Sequence, residues 1–264
     1  MREFTKRVGF IGFGNMAQAI MQGWMMKEVI NPDLVYASAH HWPKLVASSA
    51  RYQIHPLRTN KEVVDKCDII ILAAKPYQLK DALEGCEREI EGKLVISLAA
   101  GLTYDDVQQI VPNARHVNIM PNTPIAVGAG IVMVDTKNDL TPDDKDDLDR
   151  LFEPVALVES IRADLMGVAG SLAGCTPAFA EMFVEALGDG AVKHGLPRKT
   201  AYLLAAKVLE GTGALYLAKK DHPGQMKDAV CSPGGTTIRG VEQLEKEGFR
   251  YAVMSALGAT MKKD

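Results

Sequence analysis

The sequence predicts an α/β fold in two parts: a mostly parallel sheet with its helices, then an all-helical C-terminal region. Three observations carry this expectation. Short apolar runs alternate with helical patterns through the first 160 residues. A glycine turn, Gly12-Phe13-Gly14-Asn15-Met16-Ala17, joins the first run to the first helix. Beyond Asp164 the strand signal fades and long Ala-, Leu- and Met-rich helical patterns take over. Strands alternating with helices imply βαβ units, a parallel sheet and right-handed crossovers.

The elements follow in order. Residues 6–11 read as a buried strand, and 17–27 as a helix with Ile20, Met21 and Trp24 on one face. Residues 34–37 form a second strand and 43–52 a helix. Residues 68–73 (Asp-Ile-Ile-Ile-Leu-Ala) and 93–98 are continuous apolar runs, as in parallel strands covered on both faces. Strands at 115–120 and 131–134 complete the sheet, with helices near 78–90, 103–110 and 142–152. Thr141-Pro142 before Asp143-Asp144-Lys145-Asp146-Asp147 reads as a helix start, with Thr as N-cap, Pro in the first turn and acids at the positive dipole end. In the C-terminal region, 177–194 carries Phe179, Met182, Phe183, Ala186 and Leu187 at helical spacing and stops at Gly195. A helix from Pro197 to about residue 219 and two shorter ones complete the chain.

At 264 residues the chain accommodates two ordinary domains, placed at 1–160 (dinucleotide-binding) and 161–264 (helical). The C-terminal helices are apolar on more than one side, so burial against a second copy of the chain is expected. A net charge of −3 gives no sign of a nucleic-acid partner or an anionic membrane. No signal peptide is read, and no apolar run is judged long enough to span a bilayer. The four cysteines are scattered without a CxxC pair, which fits a reduced, cytoplasmic protein without disulfides. The six histidines are also scattered, and no metal site is assigned.

The chemistry rests on a few segments. Gly12 to Ala17 is a GxGxxA fingerprint, with a strand before it and a helix after it, as in Rossmann-type dinucleotide sites. Gly12 permits the tight turn, Gly14 admits the pyrophosphate, and the small Ala17 lets helix pack on strand. The second strand ends Ser38-Ala39-His40-His41, without the acid that holds an NAD ribose. Ser38 can hydrogen-bond a 2′-phosphate, and His40, His41 or Lys44 can add charge, so NADP is favoured over NAD. Ala73-Ala74-Lys75-Pro76, Ala99-Ala100-Gly101 and Met120-Pro121-Asn122-Thr123-Pro124 all follow strands at the same sheet edge. The expected cofactor contacts are therefore Gly12, Phe13, Gly14, Asn15, Met16, Ser38, Asn60, Ala73, Ala74, Lys75, Pro76, Ala100 and Asn122. Trp24 and Trp42 receive no role.

Far downstream, Val230-Cys231-Ser232-Pro233-Gly234-Gly235-Thr236-Thr237-Ile238 breaks one helix and opens another. Such a turn offers free N–H donors, a positive dipole end and hydroxyls, a clamp for a small carboxylate. Helix capping is the competing use of the two threonines. No GxSxG elbow, Walker loop or paired carboxylates accompany it. Hydride transfer to a positively charged imine needs none of these, because the cofactor carries the chemistry.

Taken together, these segments resemble pyrroline-5-carboxylate reductases over essentially the whole chain. The resemblance lies in Val230 to Ile238 with its flanks Lys227-Asp228 and Glu242-Gln243-Leu244-Glu245, the GxGxxA turn, Ala73-Ala74-Lys75-Pro76, Ala99-Ala100-Gly101, Met120 to Pro124, and Glu185-Ala186-Leu187 through Gly195-Leu196-Pro197-Arg198. It implies reduction of 1-pyrroline-5-carboxylate to L-proline by NAD(P)H. It also implies a C-terminal helical domain that interlocks between subunits, as a homo-oligomer built from dimers, in some members pentamers of dimers. The carboxylate would be held by Ser232, Gly234, Gly235 and Thr236, with Thr237 as the catalytic donor at the ring nitrogen. A related cyclic imine is an alternative substrate. A β-hydroxyacid dehydrogenase would want a catalytic Lys that 164–192 lacks. A non-enzymatic NAD(P)-sensing module would have no need of the Ser232–Thr237 clamp.

Overall fold

A computed structural model describes residues 4–261. Its strands are β1 (Val8–Ile11), β2 (Val35–Ser38), β3 (His55–Pro56), β4 (Ile69–Leu72), β5 (Leu94–Ser97), β6 (Arg115–Pro121), β7 (Gly130–Asp135) and β8 (Ala156–Ile161). The helices among them are α1 (Asn15–Met26), α2 (Trp42–Tyr52), α3 (Asn60–Lys66), α4 (Leu79–Leu83), α5 (Tyr104–Ile110), α6 (Pro142–Phe152) and α7 (Met166–Gly170). The strands form one sheet in the order β3-β2-β1-β4-β5-β6-β7-β8. All neighbours are parallel except β6 and β7. The order reverses at β1, so the crevice beyond the ends of β1 and β4 is the switch point where such sheets bind ligands.

Burial explains the apolar runs. β1, β4 and β5 are buried at every position, because helices cover both faces of the sheet. On one face Phe10, Ile20, Trp24 and Phe152 pack together, and the Trp24 indole N–H donates to Leu151 O at 2.7 Å. On the other face Val63, Ile70, Leu72, Val95 and Val107 form a second core.

The acidic run at 143–147 begins α6 as expected, through a Thr141/Asp144 capping box. It is not simply a solvated face. Asp144 is buried and accepts a fork from Arg115, Nε at 2.5 Å and Nη2 at 2.9 Å. Burial works to raise its pKa, but the bonds from Arg115 and Thr141 outweigh burial and hold the carboxyl at about 2. Asp147, also buried, pairs with Lys6.

Additions to the sequence reading include β3, α3, α7 and the half-exposed edge strand β8. The helix expected over 78–90 is only α4, because Gly85 turns to a positive φ of 76° just beyond it. A π turn spans Ser171–Cys175.

One compact unit of the chain is Met1–Gly174 and the other is Cys175–Asp264. The second contains α8 (Thr176–Lys193), α9 (Arg198–Lys219), α10 (Pro223–Asp228), α11 (Thr236–Lys246) and α12 (Phe249–Thr260). Three short helices, not two, therefore accompany the long pair. In this unit Gly188, Ala201 and Ala205 are the only buried residues among those described. The expectation that no stretch could span a bilayer is corrected: Ala163–Lys193 is helical, long and apolar enough by length and composition, and mostly unburied.

Candidate functional site

One candidate segment is the β1–α1 turn of the sheet unit. Gly12 adopts φ +91°, and a Cβ there would lie 2.9 Å from the backbone of Ala73 and Ala74. Only glycine lets the turn lie this close to the end of β4. Gly12 N donates to Ser38 O and Ala73 N to Ile11 O, each at 2.9 Å, so three strand ends are stitched together. Gly14 is the N-cap of α1, with open space where a Cβ would stand. No side chain caps α1, and no acid occupies its first turn. The helix thus keeps its N–H groups and positive dipole end for an anion. This cradle fits a pyrophosphate.

The other expected residues differ in what they can offer. Phe13 packs edge-on against Phe10 (5.5 Å) and Tyr52 (5.9 Å), so its ring belongs to the core and only its backbone faces the turn. Asn15 is exposed, and Met16 is half-buried against the core. Ala73, Ala74, Lys75 and Pro76 follow β4, with Lys75 exposed, and exposed Ala100 follows β5.

Ser38 ends β2, is buried, and donates its proton to Asn60 Oδ1 at 2.6 Å. Asn60 Nδ2 in turn donates to Ala82 O at 2.8 Å, which fixes the amide with its oxygen toward Ser38. Ser38 therefore has no proton left to donate to a phosphate, contrary to the simplest sequence reading. Asn122 is also buried. Its Oδ1 accepts from Ile131 N (2.8 Å) and its Nδ2 donates to Ala173 O (3.1 Å). It braces the end of β6 rather than presenting a free amide.

Sequence reasoning passed over Arg58, whose guanidinium carbon lies 3.7 Å from the Trp42 ring centroid. The Leu-Arg-Thr-Asn stretch after an unrecognised two-residue strand gave little signal. The Thr59-x-x-Glu62 capping box at the start of α3 was the legible clue.

A separate candidate segment lies in the helical unit. Gly234 has φ +69° and Gly235 is the N-cap of α11. A Cβ on Gly235 would fall 2.6 Å from Ser232 Oγ and 3.0 Å from Ser232 O, so the turn is tight against Ser232. Gly235 N donates to Ser232 O at 3.0 Å. Thr236 and Thr237 are the first two residues within α11, and no side chain caps that helix. The capping alternative for them therefore falls. α3, α5 and α6, by contrast, each close their N-termini with their own capping box. The clamp thus offers uncapped N–H donors and exposed hydroxyls.

A parallel sheet with a glycine cradle at its switch point defines a class, the dinucleotide-binding α/β proteins. Comparison with known proteins narrows it. Residues 163–264 match the family described as pyrroline-5-carboxylate reductase dimerisation, and residues 7–101 match that described as NADP oxidoreductase coenzyme F420-dependent. The chain is 40% identical to a pyrroline-5-carboxylate reductase of Treponema pallidum, covering 96% of this chain and 98% of that one. It is 36% identical to that of Escherichia coli, covering 98% and 97%. The solved structure of the Plasmodium falciparum pyrroline carboxylate reductase with NADP bound superposes with a TM-score of 0.84 at 28% identity, covering 98% and 97%. That of the Coxiella burnetii reductase gives 0.86 at 29% over the same shares. The chain belongs to the pyrroline-5-carboxylate reductase family.

Proposed function

We propose that this chain reduces the C=N bond of 1-pyrroline-5-carboxylate to give L-proline, with NADPH as reductant. The dinucleotide, when bound, supplies the hydride. The cradle of Gly12, Phe13, Gly14, Asn15 and Met16 holds the pyrophosphate through backbone N–H groups and the α1 dipole. Ala73, Ala74, Lys75, Pro76 and Ala100 flank the nicotinamide end, and the Ser38–Asn60 pair shapes the ribose end. The N–H groups at Gly234, Gly235 and Thr236, with Ser232, hold the substrate carboxylate. Thr237 donates a hydrogen bond at the ring nitrogen. A protonated imine already carries the charge that draws a hydride, so no paired acid and base are needed.

The observation that carries this reading is the uncapped start of α11, with Gly235 at the N-cap and both threonine hydroxyls exposed. In the same reading 1–160 serves the cofactor, and 161–264 serves substrate and self-association. The apolar surface of 163–193 meets a second copy rather than a bilayer, a reading supported by the dimerisation family that matches there. The enzyme is a cytoplasmic homo-oligomer of dimers, up to a pentamer of dimers.

Thr237→Val tests the assignment while keeping side-chain volume. Turnover should fall by about tenfold to a hundredfold, with NADPH affinity unchanged, because a donor aimed at the reacting centre is lost. An unchanged kcat would remove Thr237 from the chemistry.

A further inference from the structure

The short connection between β3 and α3 presents a cation that the roles above do not use. Leu57 N donates to Ala37 O at 2.8 Å, so Arg58 emerges beside the end of β2. Its guanidinium lies over the ring of Trp42, the first residue of α2, which directly follows His40-His41. The charge is thereby held over the loop that leaves β2. Arg58 is exposed, and among the described residues no carboxylate forms an ion pair with it. Glu62, on the neighbouring turn, is engaged by Thr59 through its N–H (2.9 Å) and Oγ1 (3.1 Å).

An indole face under a guanidinium attracts the cation and restricts its movement, while the guanidinium keeps its five N–H donors. A planar fork of that kind matches the oxygens of a phosphate. In dinucleotide-binding sheets the adenosine ribose lies at the end of the second strand. Here that end offers no acid for a ribose 2′-hydroxyl, and its serine proton is held by Asn60. Arg58 puts a permanently charged donor beside this strand end.

We propose that Arg58, held over the Trp42 ring, binds the 2′-phosphate of the cofactor and sets the preference for NADPH over NADH. This rests on reading the β1–α1 cradle as a dinucleotide site. It gives Trp42 a function as the platform.

Isothermal calorimetry on the full chain tests the proposal with 2′,5′-ADP and 5′-AMP, which differ only in the 2′-phosphate. Arg58→Leu should weaken 2′,5′-ADP binding by about tenfold or more and leave 5′-AMP within about twofold. Trp42→Leu should weaken 2′,5′-ADP by a smaller factor, about threefold. Arg58→Lys, which keeps the charge but loses the fork, should fall between wild type and Arg58→Leu, and serves if the leucine variant does not fold. Unchanged 2′,5′-ADP binding, or equal losses for both ligands, would overturn the proposal. In steady-state assays the KM for NADPH should rise with that for NADH unmoved. Absence of pyrroline-5-carboxylate turnover in the wild type would defeat the reductase reading but leave the binding comparison intact.

Discussion

The two compact units solve the burial problem in opposite ways. The sheet unit encloses Trp24, Phe10, Phe152 and a full set of Ile and Leu side chains from both faces of one sheet. Among its described residues the helical unit buries three small ones, Gly188, Ala201 and Ala205, while Met182, Leu203 and Met254 stand about 70% exposed (67%, 70% and 73%). A solvated surface of that kind is unusual for a monomer. Unit one is thus stabilised within the chain, and unit two is completed between chains. The difference teaches that a long apolar helix with little intrachain burial can signal a partner copy as well as a membrane.

The contrast can be broken from either side. The larger effect belongs to the helical unit. Replacing both Leu203 and Leu204 by Glu places charge on the exposed face of α9. If a second copy covers that face, association should weaken by roughly a hundredfold or more, since burying an unpaired charge costs about 3–5 kcal/mol. Sedimentation velocity would then show monomers and the assay little activity. If the face is simply solvated, assembly and activity should persist, and the contrast collapses.

A smaller effect belongs to the sheet unit. Asp144→Asn removes the Arg115 fork and half of the α6 capping box, which should cost about 1–3 kcal/mol at neutral pH. The Asp144 carboxyl is depressed from 3.8 to about 2, so its contribution is full above the unfolded value and is lost as pH falls through that window. Urea midpoints of wild type and variant should therefore converge on acidification from pH 4 to 2. A constant gap would show that the pair contributes little through its charge.

Legibility followed the same division. The buried strands and amphipathic helices of the sheet unit could be read because coverage on both faces imposes continuous apolar runs. β3 is two residues long and β8 is a half-exposed edge carrying Glu159 and Ser160, so neither imposes such a run. The glycine cradle was readable because Gly12 is dictated by its positive φ and the close approach of the Ala73–Ala74 backbone. The engagement of Ser38 by Asn60, the bracing by Asn122 and the Arg58–Trp42 stack were not, since each joins residues whose proximity only the fold supplies. In the helical unit, Gly234 and Gly235 marked the turn, while the openness of the α11 N-terminus emerged only from the capping geometry.

The most direct test of the reductase reading follows the hydride itself. Purified protein would be given 1-pyrroline-5-carboxylate and NADPH deuterated at C4 of the nicotinamide, and the product examined by mass spectrometry. The expected product is L-proline carrying a single deuterium at C5. Absence of proline, or proline formed without the label from cofactor deuterated on both faces, would contradict it.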